Sequence, residues 1–292
     1  MPVPSRRSSA RRARRSTRAT RSLSSSSPQA LADGKLQLDH PAPRVARLTI
    51  ANPAKRNALD HAILDSIAAT VPRLDDHHCL ILTGSQRMFS AGYDIGDIPD
   101  EVFAQEAEKL VAHPFMAAIE ALEAFPYPTL AALGGHAIGG GLEVALSCDL
   151  RIAAAGVKLG MPPAKLGLVY SHTGLQKFIE TIGAARTREL FLVGVNIDAE
   201  VALGWGLVNR LVPADELESA TLALAVEIAA NAPLSLSGNK RVIGELVRGG
   251  GRLDPAIEAE LIELRRACFV SEDFREGVRA FGEKRPPRWQ GR

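Results

Sequence analysis

The stretch from Leu133 to Asp149 constrains the fold of this chain more than any other. It reads Leu-Gly-Gly-His-Ala-Ile-Gly-Gly-Gly-Leu-Glu-Val-Ala-Leu-Ser-Cys-Asp. The apolar run that leads into it, Pro128 to Leu133, suits a short buried strand ended by Gly134 and Gly135. Gly139, Gly140 and Gly141 then run directly into Leu142, Val144, Ala145 and Leu146, an apolar pattern with helical spacing. Bare backbone at a helix start offers unpaired N–H groups and the positive end of the helix dipole, which suit an anion or a developing oxyanion. Glu143, in the first turn, is the nearest acid. The same residues also fit a purely structural role, with glycines letting a helix pack closely on a strand and Glu143 complementing the dipole. Neither the Gly-x-Gly-x-x-Gly dinucleotide fingerprint nor the Gly-Lys-Ser/Thr of a phosphate loop is present in this stretch.

The net charge of +2 conceals two unlike regions. Residues 1–30 hold eight arginines and no acid, which leaves residues 31–292 with 27 basic against 33 acidic side chains. The acidic remainder argues against a nucleic-acid-binding domain. The Arg/Ser-rich segment 1–30 has almost no large apolar residues and is expected to be a disordered extension; its composition suits either an organellar transit peptide or an over-long start. No apolar run approaches the roughly 18 residues that span a bilayer, so no membrane partner is expected. Cys79, Cys148 and Cys268 are widely spaced in apolar surroundings, which suits reduced thiols in a cytoplasmic setting, or in an organellar matrix if the extension is a transit peptide. His77-His78-Cys79 lacks a second ligand pair at metal-binding spacing and reads as a turn entering a strand, so no metal site is expected.

Along the chain, strands are predicted at Val45–Ile50, Cys79–Leu82, Pro128–Leu133 and Asp149–Ala154. A helix capped by Asp60 follows the first of them, and a long amphipathic helix runs from about Val102 to Phe125, stopped by Pro126 and Pro128. Helices are also predicted near Gly174–Ile182 and Ala185–Val193. From Ala214 onward the pattern is entirely helical: Leu217–Ala230, Pro233–Leu246, Pro255–Cys268 and Ser271–Phe281. Alternating strands and helices imply an α/β body with short parallel strands, and the helical end is expected to cover that body or join subunits. The division is 1–30 extension, 31–213 core and 214–292 helical region.

Two motifs together extend this reading. Phe89-Ser90-Ala91-Gly92-Tyr93-Asp94-Ile95, followed by Gly139-Gly140-Gly141-Leu142-Glu143 and Cys148-Asp149, resembles the enoyl-CoA hydratase/isomerase (crotonase) family. Asn52-Pro53-Ala54-Lys55-Arg56-Asn57-Ala58-Leu59 and Glu283-Lys284-Arg285-Pro286 are similar to its other markers, so the resemblance spans about Val45 to Arg285. It implies an α/β spiral of ββα units with a C-terminal helical region that drives homotrimers or hexamers. It also implies an acyl-CoA thioester substrate, coenzyme A being part of the substrate rather than a separate cofactor. The thioester oxygen would lie between the N–H groups of Tyr93 and Gly140, and an enolate there is a concentrated oxyanion. Ala91, Asp94 and Ile95 would line the coenzyme A, and Lys284 would meet one of its phosphates across a subunit boundary.

One departure bears on the reaction. Hydratases of this family hold a water with two glutamates; the first matches Glu143, but Gly160-Met161-Pro162-Pro163 puts Pro163 at the second position, and proline has no acid, base or donor. The loop through Tyr170 is similar to the methylmalonyl-CoA decarboxylase branch, which also lacks the second glutamate and has a tyrosine at that place, although that branch differs at Tyr93 and Pro162. The resemblance thus implies a decarboxylase-like lyase acting on a malonyl-type CoA thioester, with Tyr170 orienting the departing carboxylate or giving a proton. The alternatives are an enoyl-CoA hydratase or isomerase using Glu143 alone, and a non-catalytic acyl-CoA binder. Asp149 and Trp205 are read as structural, and His172 either as an alternative proton donor or as a surface residue, the commoner place of a lone loop histidine.

Overall fold

A computed structural model of the chain describes residues 27–85, 87–94 and 99–292. Its elements in order are β1 (Gln29–Leu31), β2 (Leu36–Ala42), β3 (Val45–Ile50) and α1 (His61–Thr70). Next come β4 (Cys79–Gly84), β5 (Met88–Ser90), α2 (Phe103–Leu110) and α3 (Met116–Ala124). Then follow β6 (Thr129–Leu133), β7 (His136–Ile138), α4 (Gly140–Leu146), β8 (Leu150–Ala154), β9 (Lys158–Gly160), α5 (Pro163–Leu166) and α6 (His172–Arg188). The chain closes with β10 (Ile197–Asp198), α7 (Ala199–Trp205), β11 (Arg210–Val212), α8 (Leu217–Ala229), α9 (Pro233–Arg248), α10 (Pro255–Val270) and α11 (Glu272–Glu283).

The strands sort into two sheets. The larger runs β1-β2-β3-β4-β6-β8-β11 and the smaller β10-β9-β7-β5. β4, β6 and β8 lie side by side and parallel in the first, and β5, β7 and β9, which directly follow them, lie parallel in the second. Each ββα unit therefore places one strand in each sheet and then returns through a helix, which is the crotonase-type spiral. The core lies around the larger sheet: every residue of β6 is buried, and so is every residue of α4. Full burial on both faces explains why β6 reads as a continuous apolar run rather than an alternating one.

The local sequence accounts for most element ends. Asp60 caps α1 by accepting the Ile63 N–H at 2.9 Å. The predicted long helix over 102–125 is α2 and α3 joined by a π-helical turn at Val111–Phe115; Pro114 stands in this turn, where a missing N–H breaks the regular ladder. The two helices predicted over 174–193 are parted at Gly183, whose φ of 78° and ψ of 159° are not helical.

The tail differs from expectation at its edge. Residues 1–26 lie outside the described residues, but Gln29 and Ala30, expected in the disordered extension, pair antiparallel with Leu38 and Gln37 of β2. Backbone pairing on an open strand edge needs no large side chains, so composition did not reveal it. At the other boundary, α8 packs on the large sheet and brings Leu217, Leu224, Ala225 and Ile228 into the core. The first helix of the 214–292 region thus completes the body, while α10 buries only Leu261 and leaves Phe269 and Val270 exposed. Among the described residues no single helix is long and apolar enough to cross a membrane.

Candidate active site

Two loops that are distant in sequence meet at the ends of β5 and β7. After β5 the chain makes a sharp turn through Gly92, with φ at 94°. The Leu59 N–H donates to the Gly92 carbonyl at 2.8 Å, and the Asp94 N–H donates to the Leu59 carbonyl at 3.0 Å. Because successive backbone groups point to opposite edges, this bridge turns the intervening Tyr93 N–H away from Leu59. On that side lies Gly140, whose nitrogen would be 3.1 Å from a Cβ at Gly92, so only bare backbone fits there.

Gly140 opens α4. Gly139 before it has φ 56° and ψ −129°, a conformation essentially confined to glycine, and its N–H donates to the Gly160 carbonyl at 2.9 Å. The Leu142 and Glu143 N–H groups turn back to the Gly139 carbonyl, at 2.9 and 3.2 Å. Among the described residues no acceptor is found for the Tyr93 or the Gly140 N–H. Two adjacent free backbone donors beside a helix start are suited to an oxyanion.

One turn along α4, Glu143 is only 1% exposed. Tyr170 donates its hydroxyl to Glu143 Oε2, and Tyr93 Oη lies 3.5 Å from Tyr170 Oη. Burial pushes the Glu143 carboxyl above its ordinary range, opposed by the Tyr170 hydroxyl and the Lys177 ammonium. Burial first and the neighbouring Glu143 charge next push the Tyr93 phenol up. Tyr170 is raised by burial, then by Tyr93 and Glu143, so both phenols keep their protons near neutrality. Behind Glu143, Ser147 Oγ donates to its carbonyl at 3.0 Å, and Lys177 Nζ donates to Ser147 Oγ at 3.1 Å and pairs with Glu123. The site thus has two backbone donors, one buried carboxyl able to change protonation, and neutral hydroxyls around it.

The other predicted residues fall as follows. Pro163 is buried at the first position of α5, just after β9, and brings no functional group. Asp94 is paired with Lys55 at 2.8 Å, and the Ala91 N–H donates to the Arg56 carbonyl at 3.1 Å, so both belong to the loop that carries Tyr93. Ile95 lies outside the described residues. Lys284 ends α11 with φ 53°, and among the described residues its side chain makes no hydrogen bond or ion pair to Tyr93, Gly140 or Glu143. His172 is exposed at the start of α6. Asp149 accepts both the N–H and hydroxyl of Thr129, at 2.7 and 2.9 Å, and pairs with Lys240; Arg186 lies over the Trp205 ring. His77 meets His40 at 2.9 Å while His78 packs on Tyr127, and among the described residues no group of three candidate metal ligands occurs.

Residues 42–292 match the family model described as enoyl-CoA hydratase/isomerase. The chain belongs to the enoyl-CoA hydratase/isomerase family. It is 36% identical over 255 residues to the probable enoyl-CoA hydratase echA8 of Mycobacterium tuberculosis, covering 85% of this chain and 95% of that protein. It is 33% identical over 253 residues to the 2,3-dehydroadipyl-CoA hydratase of Escherichia coli, covering 85% and 96%. The enoyl-CoA hydratase structure from Bacillus anthracis superposes with a TM-score of 0.81 at 28% identity, covering 88% of this chain and all of that one. As a family member the chain is an acyl-CoA enzyme with the crotonase fold, and its named relatives fit the expected alternative of hydration better than decarboxylation.

Several residues around the site escaped the sequence reading. Ser90 accepts the Gly92 N–H at 3.1 Å and packs where a Cβ on Gly141 would be. Asn57, fully buried, donates to the Ser85 and Met88 carbonyls and accepts the Asn52 N–H, which fixes the entry to β5. The signal was present in the Asn57 and Ser90 positions of the quoted motifs, but their partners are set only by folding.

Proposed function

We propose that this enzyme adds water to a 2-enoyl-CoA thioester with Glu143 as its single carboxylate. The observation behind this reading is the buried Glu143 carboxyl, held by the Tyr170 hydroxyl one helical turn from the Gly140 N–H. The Tyr93 and Gly140 N–H groups hold the thioester oxygen as charge develops on it, each donor contributing about 3–4 kcal/mol in the transition state. Glu143, as carboxylate, takes a proton from water attacking the β-carbon and returns it to the α-carbon. Burial raises its pKa above the ordinary carboxylate range, which makes it a stronger proton acceptor than an exposed carboxylate. Tyr170, whose proton is retained, keeps the carboxyl pointed at the substrate. Hydratase names among the relatives support the same reaction.

A second reading, decarboxylation of a malonyl-type CoA thioester, is favoured by Pro163. Loss of carbon dioxide leaves the electron pair on the α-carbon as the enolate, so no second carboxylate is needed, and Tyr170 or Glu143 then supplies the proton. Incubation with crotonyl-CoA and with methylmalonyl-CoA, following loss of the conjugated enoyl absorbance and carbon dioxide release separately, decides between them. Hydration without carbon dioxide release is expected. Carbon dioxide release with negligible hydration would replace hydration with decarboxylation, and no turnover of either would leave an acyl-CoA binder. The exposed apolar residues Phe274, Val278 and Phe281 on α11 support assembly into a homo-oligomer, a trimer or hexamer, which sedimentation tests.

A further inference from the structure

We infer that the Tyr93 side chain, as distinct from its backbone N–H, closes the acyl end of the site and restricts the enzyme to short acyl groups. This rests on the acyl-CoA reading of the site.

The Tyr93 ring lies directly over Gly140: a Cβ built there would be 2.9 Å from Cε1 and 3.1 Å from Cζ. From that position its hydroxyl reaches to 3.5 Å from Tyr170 Oη, so the two phenols meet beside the Glu143 carboxyl. Both rings are packed against other aromatic side chains. Phe115, itself 1% exposed, packs edge-on against Tyr93 at 4.7 Å between centroids. Phe191 packs edge-on against Tyr170 at 5.5 Å and is backed in turn by Phe178. On the other side of Tyr170 the bare backbone of Gly174 lies so close that a Cβ there would be 2.7 Å from the ring and 2.9 Å from Glu143 Oε1.

An acyl chain whose thioester oxygen lies on the Tyr93 and Gly140 N–H groups passes Glu143 with its α- and β-carbons and then meets this aromatic wall. A chain of a few carbons would end before reaching it. A longer one requires the Tyr93 ring to leave its contacts with Phe115 and Gly140, and packed rings give way only at a cost.

The test is direct binding, by titration calorimetry on the full chain, of butyryl-CoA and octanoyl-CoA. Both are saturated and undergo neither hydration nor decarboxylation, so the result is independent of which reaction the enzyme catalyses. The wild type should bind butyryl-CoA at least about tenfold more tightly than octanoyl-CoA, in line with what a few methylenes decide in a shaped pocket. Tyr93→Ala should remove the preference, Tyr93→Leu should reduce it, and Tyr93→Phe, which keeps the ring, should preserve it. Equal binding of both thioesters by the wild type, or an unchanged ratio in Tyr93→Ala and Tyr93→Leu, would overturn the proposal. Selective binding without crotonyl-CoA turnover would retain it while removing the hydration reading. Equal turnover of four- and eight-carbon enoyl thioesters would do the reverse.

Discussion

Two glutamates on helices, Glu143 in α4 and Glu276 in α11, are both nearly out of contact with solvent, at 1% and 7% exposure, and behave in opposite ways. Glu143 has a neutral hydroxyl on its carboxyl, and burial raises its pKa. Glu276 accepts Arg279 at 2.6 Å, Arg285 at 2.6 and 3.0 Å and the Arg288 N–H at 2.9 Å, and these partners, Arg285 foremost, hold its pKa well below the usual carboxylate range. Burial by itself therefore does not decide what a carboxyl does; the charge of its partners does. Glu143 is left able to exchange a proton. Glu276 is a fixed anion that, with Asp273 accepting the Gln290 and Gly291 N–H groups, straps the end of the chain against α11.

The largest effect is expected at the donor pair beside Glu143. Gly140→Pro removes one N–H at the first helical position, where proline is otherwise tolerated, and turnover should fall by about 10²–10³. Gly140→Ala keeps the N–H but crowds the Tyr93 ring, so the difference in kcat between the two variants isolates the donor from the crowding. Equal losses would mean that the N–H does nothing.

Glu143→Gln should lower kcat by about 10²–10⁴, as expected when an acid–base group is lost. It should also raise Tm at neutral pH, because the folded-state pKa of Glu143 lies above the unfolded value. The stability linked to such a group is fully present below the unfolded pKa and is lost as pH rises through the folded one. The Tm gap between variant and wild type should therefore open as pH rises from the ordinary carboxylate value of about 4.3. A variant less stable than wild type at pH 7 would break the contrast between the two glutamates.

Glu276→Gln should do the opposite. Its depressed pKa contributes stability above the unfolded value that disappears as pH falls toward the folded one. The variant should melt below wild type at pH 7, and the gap should close in acid. Thermal melts across the acid range check both signs in one series.

The smallest effect is expected at Lys177, whose charge lowers the Glu143 pKa from behind Ser147. The titratable groups that act on Glu143 or feel its charge are Tyr170, Lys177, Glu123 and Tyr93. Lys177→Met should shift the ascending limb of the kcat/KM pH profile upward, and Lys177→Arg should restore it. An unshifted limb in Lys177→Met would show that Tyr170 and burial set the value without it.

Much of this was written locally. The apolar run at 129–133, the Asp60 cap, the break near Gly183 and the glycines at 139–141 each stood out from neighbouring residues, because hydrophobic period and turn chemistry act over a few positions. The long helix over 102–125 was legible in outline, but not its π-helical turn, which depends on how Pro114 is accommodated. The edge strand at Gln29 was invisible, since its hydrogen bonds belong to β2.

The sequence by itself carried the motifs of the family and, through that resemblance, the candidate positions Tyr93, Gly140, Glu143 and Pro163. Residue type and order in the chain carry that resemblance, and the roles come with it. Only the tertiary structure decided that the Tyr93 ring lies over Gly140, that Tyr170 donates to Glu143, and that Lys177 stands behind it through Ser147. Those contacts join loops and helices 27 to 47 residues apart, and a carboxyl takes its proton affinity from whatever the fold packs around it.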